Sequence, residues 1–518
     1  MSLLAPELEF TPLFQVSADS EFSDYLTQGL KLLEFKPEIL EMIFMDQYDA
    51  AIKEKIVRLA DKAFLAGDNA DCSFLPIDSN QCSINTSPLV ENIELKTGRP
   101  RMSPKTLYVY YLSEQFLEGS TTNRLGKCFL SESGTLRAFL ANSGIKKPGK
   151  STVHENLRVL SDKTRQFIFD AQIEYIYHMQ LDIFDELYID STAINANSEW
   201  PTDSGLILKL VSGLDRLLGR MNTTFDLAYS DKVIKRWIKE LAKMDFQINL
   251  SLGKKNSRKV QKKNYKKIYA LSDKAVARLL RNYILFMETY NQYEILPSLK
   301  VRIDNFIGMF ETSLSNLKNL STYSYERVFE GKKAPACEKI ASITDENASF
   351  IIKGGRDTVV GYKPQIGVSA NMFIVSILLP AGNASDSGML LETVRDSIGR
   401  TGVTPTVVGV DDGYSSADNY KSLIDMGVTT ASISGSKGKA VIQSVDDTLW
   451  DTPEYSDARN NRSKAESMMF SLKYLFDFGQ LKARGLENVR REVLGKAIGY
   501  NFHRMTLLAS SALDRESA

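Results

Sequence analysis

Residues 404–411 read TPTVVGVD and residues 184–194 read FDELYIDSTAI. Each contains a short apolar, β-branched run that stops at an acid, Asp411 in the first and Asp190 in the second. Runs of this length and composition form strands buried in a sheet, so both acids fall at the C-terminal end of a strand. Two more strand-like runs, 358–369 (TVVGYKPQIGVS) and 372–380 (MFIVSILLP), meet at a tight Ala370-Asn371 connection. A helix near 386–400 follows, with Leu390, Leu391, Val394 and Ile398 on one side. After Asp411 come a helix near 416–425, a strand at 428–434 (VTTASIS) and a last major helix from about Ala458. The order β, β, β, α, β, α, β, α predicts an α/β fold, a mixed sheet flanked by helices.

Upstream of the first strand the pattern is helical. Apolar residues recur at three- and four-residue spacing through 17–35 and 37–67. After a polar stretch, Ser103 is placed to cap a helix whose first residue is Pro104, and Thr152 with Glu155 has the spacing of a capping box. Short helices with turns between them, the last preceded by Lys146, Lys147 and Lys150, suit either a helix-turn-helix DNA-binding region or a plain helical bundle. Gly98-Arg99-Pro100-Arg101 suits either an arginine-bearing peptide in a minor groove, through Arg99 and Arg101, or an exposed linker. These segments divide into 1–97, an N-terminal helical region, and 98–183, the candidate DNA-binding region. The core then comprises 184–194 and 356–505, interrupted by a helical insertion over 195–355.

That insertion carries Lys254, Lys255, Arg258, Lys259, Lys262, Lys263, Lys266 and Lys267, paired cations repeating every four residues with no carboxylate between them. On a helix they form a two-row stripe whose like charges repel by a few tenths of a kcal/mol per pair. A polyanion relieves that repulsion and releases counterions on binding. The other reading is a solvated helix face. Overall the chain is neutral, with 64 Lys and Arg against 64 Asp and Glu over 518 residues, so any affinity for nucleic acid rests on this segregation of charge. Four scattered cysteines without a CxxC pair, and three histidines, point away from a zinc site and from a disulfide framework. No run of about 18 apolar residues occurs and the N-terminus has no basic, apolar leader, so neither a membrane span nor a signal peptide is expected.

Two strand-end aspartates invite a third carboxylate, because two-metal phosphoryl transfer needs hard oxygen ligands held close together. Glu466 supplies one, in ARNNRSKAESMMFSLKYLFDFG (458–479). At 100° per residue, Ala465, Met468, Met469, Leu472, Leu475 and Phe476 form an apolar face. Arg462, Glu466 and Lys473 fall in a polar stripe beside it. Such a stripe either aims a carboxylate at metal and two cations at phosphates, or is a surface on which Arg462 and Glu466 simply pair.

The spacing R-(3)-E-(6)-K from Arg462 through Glu466 to Lys473 resembles the Y-(2)-R-(3)-E-(6)-K signature of DDE-class insertion-sequence transposases, with Arg459 where the tyrosine stands. VVGVDDGYSS (407–416) resembles the family's second-aspartate strand, with Asp412 in place of an arginine, and LYIDSTAINANSEWPTDSGL (187–206) resembles the first-aspartate block. GYKPQIGVS (361–369) is similar to its second core strand, and TGRPRMSPK (97–105) to the start of its DNA-binding region. The resemblance implies an RNase H-like core and Asp190, Asp411 and Glu466 as catalytic, metal-holding carboxylates, with Asp412 the alternative to Asp411. It implies two Mg²⁺ or Mn²⁺ ions per site and cleavage and strand transfer at transposon ends. The partners it implies are double-stranded DNA, in the terminal inverted repeats and the target, and further copies of the chain. The setting it implies is bacterial, cytoplasmic and nucleoid-associated. Arg462 and Lys473 then hold phosphates, and Lys437 and Lys439, in the loop-like SGSKGKA after the last strand, either touch flanking DNA or belong to an ordinary surface loop. A nuclease without strand transfer and an inert DNA-binding descendant remain as other readings.

Overall fold

A computed structural model of the chain describes residues 13–66, 102–117, 133–198, 200, 202–225, 227, 229–332, 339–352 and 358–516. The chain divides into two compact units, one of residues 1–48, 98–197 and 351–518, the other of residues 49–97 and 198–350. Among the described residues no helix is long and apolar enough to cross a membrane.

Helices α1 (Leu13–Phe35) and α2 (Glu38–Leu65) come first, the chain passing from the first unit to the second within α2. Then follow α3 (Pro104–Phe116), α4 (Gly134–Asn142), α5 (Lys150–Leu157) and α6 (Asp162–His178). Ser103 caps α3 as its sequence requires, its hydroxyl accepting from Thr106 N at 3.2 Å with Pro104 in the first turn; such a cap contributes about 1 kcal/mol. The capping box expected at Thr152 and Glu155 does not form. α5 begins earlier, at Lys150 with Gly149 as its N-cap, and Thr152 lies inside it, so no side chain caps the helix.

Strands β1 (Glu186–Ser191) and β2 (Ile194–Asn195) end this stretch. The second unit is then built on α7 (Asp203–Thr224), α8 (Lys232–Ser251), α9 (Ser257–Gln292) and α10 (Pro297–Tyr325), which runs into a π-helical turn, Glu326–Glu330. Leu210, Leu214, Leu241, Ile268, Leu279, Phe310 and Leu317 interlock in its core. Asp231 caps α8 by accepting from Val233 N and Ile234 N, and also pairs with Arg278 of α9.

After β3 (Ser349–Ile351) the chain forms β4 (Val359–Tyr362), β5 (Gln365–Ser369), β6 (Ile374–Leu378), α11 (Asp386–Thr401), β7 (Val407–Val410), α12 (Ala417–Asp425), β8 (Thr430–Ile433), α13 (Gly435–Val445), α14 (Pro453–Asn461), α15 (Ser463–Leu475) and α16 (Leu486–Glu516). Five strands make one mixed sheet in the order β6-β5-β1-β7-β8. β1 pairs antiparallel with β5 (Asp190 opposite Ile366) and parallel with β7 (Ile189 opposite Val410), and β7 pairs parallel with β8. The run 358–369 is two strands rather than one. It breaks at Lys363-Pro364, where proline has no N–H for a ladder, and β4 leaves to pair with β2. The helix expected from Ala458 is likewise two, α14 and α15, joined at Arg462.

Strand period decides which faces the acids share. On one face Leu187, Gly367 and Ser376 meet Thr393 of α11. On the other, the ring of Tyr188 crosses Gly409, and the Ala458 carbonyl of α14 comes close behind it. A Cβ on Gly409 would stand 2.7 Å from that ring and 3.2 Å from that carbonyl, so the sheet closes against α14 only because this position is bare. Gly409→Ala should therefore cost about 1–3 kcal/mol of stability, as overpacking does, measured by urea denaturation. A loss below about 0.5 kcal/mol would show that the contact relaxes freely.

Candidate active site

Asp190 and Asp411 are brought together. Ile189 lies opposite Val410 on adjacent parallel strands, so Asp190 and Asp411 are the next residues along each, at a strand spacing of about 4.8 Å. By strand period Asp190 shares the face of Tyr188, and Asp411 lies one residue past the end of β7. Asp411 also caps the short 3₁₀ turn Asp412–Tyr414 by accepting from Gly413 N at 2.9 Å. Asp190 accepts from Ser191 N at 2.7 Å. Both are half-buried.

A third carboxylate that the sequence reading passes over stands beside them. Asp386 opens α11, and a Cβ on Gly413 would lie 3.0 Å from Asp411 Oδ1 and 3.3 Å from Asp386 Oδ2. Its other oxygen, Oδ1, receives Gln365 Nε2 at 2.9 Å and Lys363 Nζ at 2.9 Å. Burial opposes the charge on Asp386, yet hydrogen bonds from Gln365, Lys363 and Ser191, with the Lys363 charge, hold its carboxyl below the usual carboxylate range. Tyr414 is fully buried and donates to Gln365 Oε1. Burial, then the charges of Asp386, Asp190 and Asp411, push its phenol well above the ordinary tyrosine value, so it stays a neutral donor. In sequence Asp386 reads only as an acid in a first helical turn, a common place for one.

Glu466 stands on α15, whose residues Ala465, Met468, Met469 and Leu472 are buried as its sequence requires, whereas Leu475, expected on the same side, is exposed at the end of the helix. Its side chain is 55% exposed, and its carboxylate is ion-paired with Arg462 at 2.7 Å. Lys464, two residues earlier, reaches Glu186, at the start of β1 and four residues before Asp190. Among the described residues no three His, Cys, Asp or Glu side chains are gathered as one ion would need. The two strand-end acids offer hard oxygen donors on neighbouring strands, which suits Mg²⁺ or Mn²⁺. Lys473 is exposed on α15. Arg459, at the position of the signature tyrosine, lies over the Trp450 ring at 4.0 Å and donates to the Trp450 carbonyl at 2.8 Å.

SGSKGKA is not a loop. It starts α13, with Lys437 and Lys439 in the first turns and both exposed. Asp412 Oδ1 accepts from Lys437 N and Gly438 N, each at 2.9 Å, and so caps this helix across the turn. Gly438 has no room for a side chain, since a Cβ would lie 2.1 Å from the Ile433 carbonyl. Asp412 is therefore engaged by backbone amides and directed away from a ligand role. Lys439 also faces Trp450, its ammonium 5.7 Å from the ring centre.

Of the basic run, Arg258, Lys259, Lys262, Lys263, Lys266 and Lys267 lie on α9, while Lys254 and Lys255 precede it in the turn after α8. The stripe is shorter than its sequence suggests because the helix begins only at Ser257. Lys262 is half-buried against the Phe329 ring, at 5.9 Å, and the other seven are exposed. None of the eight pairs with a carboxylate among the described residues. Arg99 and Arg101 lie outside the described residues.

The cap role of Asp412 is open to test. Asp412→Ala should lower stability by about 0.5–2 kcal/mol, and Asp412→Asn, which keeps an accepting oxygen, by distinctly less, both read from denaturation midpoints. Equal losses would contradict it.

Against known proteins, residues 325–502 match the family model of the transposase DDE domain. Neither the curated proteins nor the solved structures gave a match. The matched segment contains Asp386, Asp411 and Glu466, and Asp190 precedes it. The match supports, over residues 325–502, about a third of the chain, the likeness to DDE-class insertion-sequence transposases.

Proposed function

We propose that the chain is a DNA transposase that cuts transposon ends and transfers the freed strand into target DNA, with Asp190, Asp411 and Glu466 as its catalytic carboxylates. The observation that carries this reading is the β1–β7 register, which sets Asp190 and Asp411 at the same end of neighbouring parallel strands. Two acids so placed, on a sheet whose order combines antiparallel and parallel pairs, suit an RNase H-like core.

Asp190 and Asp411 would hold Mg²⁺ or Mn²⁺ between them, and Glu466 would complete the ligand set after exchanging its contact with Arg462. When bound, two such ions supply an activated water or 3′-hydroxyl and stabilise the leaving oxygen. The chain's own work is placement. α15 carries Glu466 in the same polar stripe as Arg462 and Lys473, so release of Glu466 leaves the Arg462 guanidinium for a phosphate, a charge-assisted contact with fork geometry. Lys473 holds a second phosphate, and Lys437 and Lys439 touch DNA flanking the site. The helices within 98–183 form a helix-turn-helix-like reader, with Arg99 and Arg101 in an adjoining minor groove.

The cations of α9 support DNA as the partner on energetic grounds. They repel one another at four-residue spacing, and Arg258 and Lys259 sit in the first turn of the helix, where its dipole disfavours positive charge. A phosphate backbone relieves both costs. Two ends must be joined, so the active form is a multimer on DNA.

The test is Mg²⁺-dependent cleavage and joining of DNA carrying the element's ends. Asp190→Asn, Asp411→Asn and Glu466→Gln should each lower cleavage by more than about 100-fold, the scale of losing a group that stabilises transition-state charge, while end binding persists. Wild-type cleavage without joining would instead mark a nuclease, and binding without cleavage an inert descendant. A second expectation concerns salt. Replacing Lys259, Lys263, Lys266 and Lys267 by Gln should flatten the dependence of log K on log salt by about 0.9 for each phosphate that is no longer neutralised. An unchanged slope would remove α9 from the DNA interface.

A further inference from the structure

A hydrogen-bonded chain of side chains stands behind the two strand-end acids, on the α11 side of the sheet. Ser191 follows Asp190 and, by strand period, faces α11, as does Gln365, its partner across the β1–β5 ladder. Ser191 donates to Asp386 and lies beside Tyr414. Gln365 is fully buried and has both ends of its amide occupied, Nε2 on Asp386 Oδ1 and Oε1 on the Tyr414 hydroxyl. Tyr414 closes the turn that Asp411 begins. The residue after one acid and the residue ending the other acid's turn are thus tied to one carboxylate, Asp386.

That carboxylate is itself anchored by Lys363, which also donates to the Ala384 carbonyl at 3.3 Å. The pair is largely out of solvent, with side chains 11% and 16% exposed. A buried ion pair is a poor source of stability compared with apolar packing of the same volume. A specific geometry is the better account of its presence, and here that geometry ends at Asp411. Oδ2 of Asp386 and Oδ1 of Asp411 flank bare Gly413, so any tilt of the turn changes their separation.

We infer that Asp386 is a positioning residue which, through Gln365 and Tyr414, fixes the turn 411–414 and hence the direction of the Asp411 carboxylate, with Lys363 supplying its countercharge. This rests on the reading of Asp411 as catalytic, and it assigns Asp386 no contact with DNA or with reacting atoms.

The test compares Asp386→Asn, Tyr414→Phe and their combination in the full-length chain, using two readouts. The first is amide hydrogen exchange over 411–416 without metal or DNA. Asp386→Asn should speed exchange there by about tenfold or more while β1, β5 and α9 exchange as in wild type. The second is end cleavage, which should fall by about 10- to 100-fold, as it does when outer partners of ligand groups are removed, with end affinity unchanged. Because both substitutions act on one chain of hydrogen bonds, the double variant should be no worse than the poorer single. Multiplying defects would overturn the route through Tyr414. Wild-type exchange and wild-type cleavage in Asp386→Asn would overturn the positioning role altogether. If the wild type does not cleave, the transposase reading fails on its own, and the exchange result still decides whether Asp386 fixes the turn.

Discussion

The parallel pairing of β1 with β7 is the constraint on which the rest depends. Backbone hydrogen bonds lock Leu187 opposite Val408 and Ile189 opposite Val410, and a slip by one residue would send one acid to the opposite face. The chain guards this register with fit on both sides of the sheet. Gly409 accepts the Tyr188 ring and the α14 backbone where no other residue would, and Ile189 and Val410 are buried. Two carboxylates at neighbouring strand ends repel each other, so their proximity is imposed by the sheet rather than by any attraction between them.

Around that pair the acidic residues divide their work. Asp412 is engaged as the cap of α13 and Asp386 is anchored by Lys363, while Asp190 and Asp411 stand at the strand ends. A sequence rich in acids near one point therefore leaves few of them available to an external cation. Glu466 is the mobile partner in this account. It is exposed, on a helix held by a buried apolar side, and its contact is with a neighbour one turn away, a type of ion pair worth little at a surface. Exchanging that contact for a cation and handing Arg462 to a phosphate would be a local rearrangement.

Much of this was legible from local pattern. Short β-branched runs ending in Asp mark β1 and β7, and the 3.6-residue period of Ala465, Met468, Met469 and Leu472 marks the buried side of α15. What escaped was non-local. Nothing near Asp190 says that β7 rather than another strand pairs with β1. Asp386 resembles any acid in a first helical turn, and its meaning comes from Gln365 and Tyr414, which reach it from β5 and from the turn after β7. SGSKGKA looked like a loop, whereas α13 needs its two glycines: Gly435 has φ +93°, and Gly438 lies against the Ile433 carbonyl. Pro364 was visible, but its effect, sending β4 to a different sheet from β5, depends on β2 being there to receive it. Arg459, a departure from the transposase signature, is explained by Trp450, whose ring and carbonyl it engages.

The central claim is that Asp190 and Asp411 together receive a divalent cation. Iron-directed scission of the polypeptide tests it most directly: Fe²⁺ is added to the full chain, radicals are generated with ascorbate and peroxide, and the cut positions are mapped. The account predicts cuts within a few residues of both 190 and 411, a third near 466 once end DNA is bound, and suppression of all three by excess Mg²⁺. A folded protein whose cuts avoid both 190 and 411, or in which they persist after Asp190→Asn and Asp411→Asn, would contradict it.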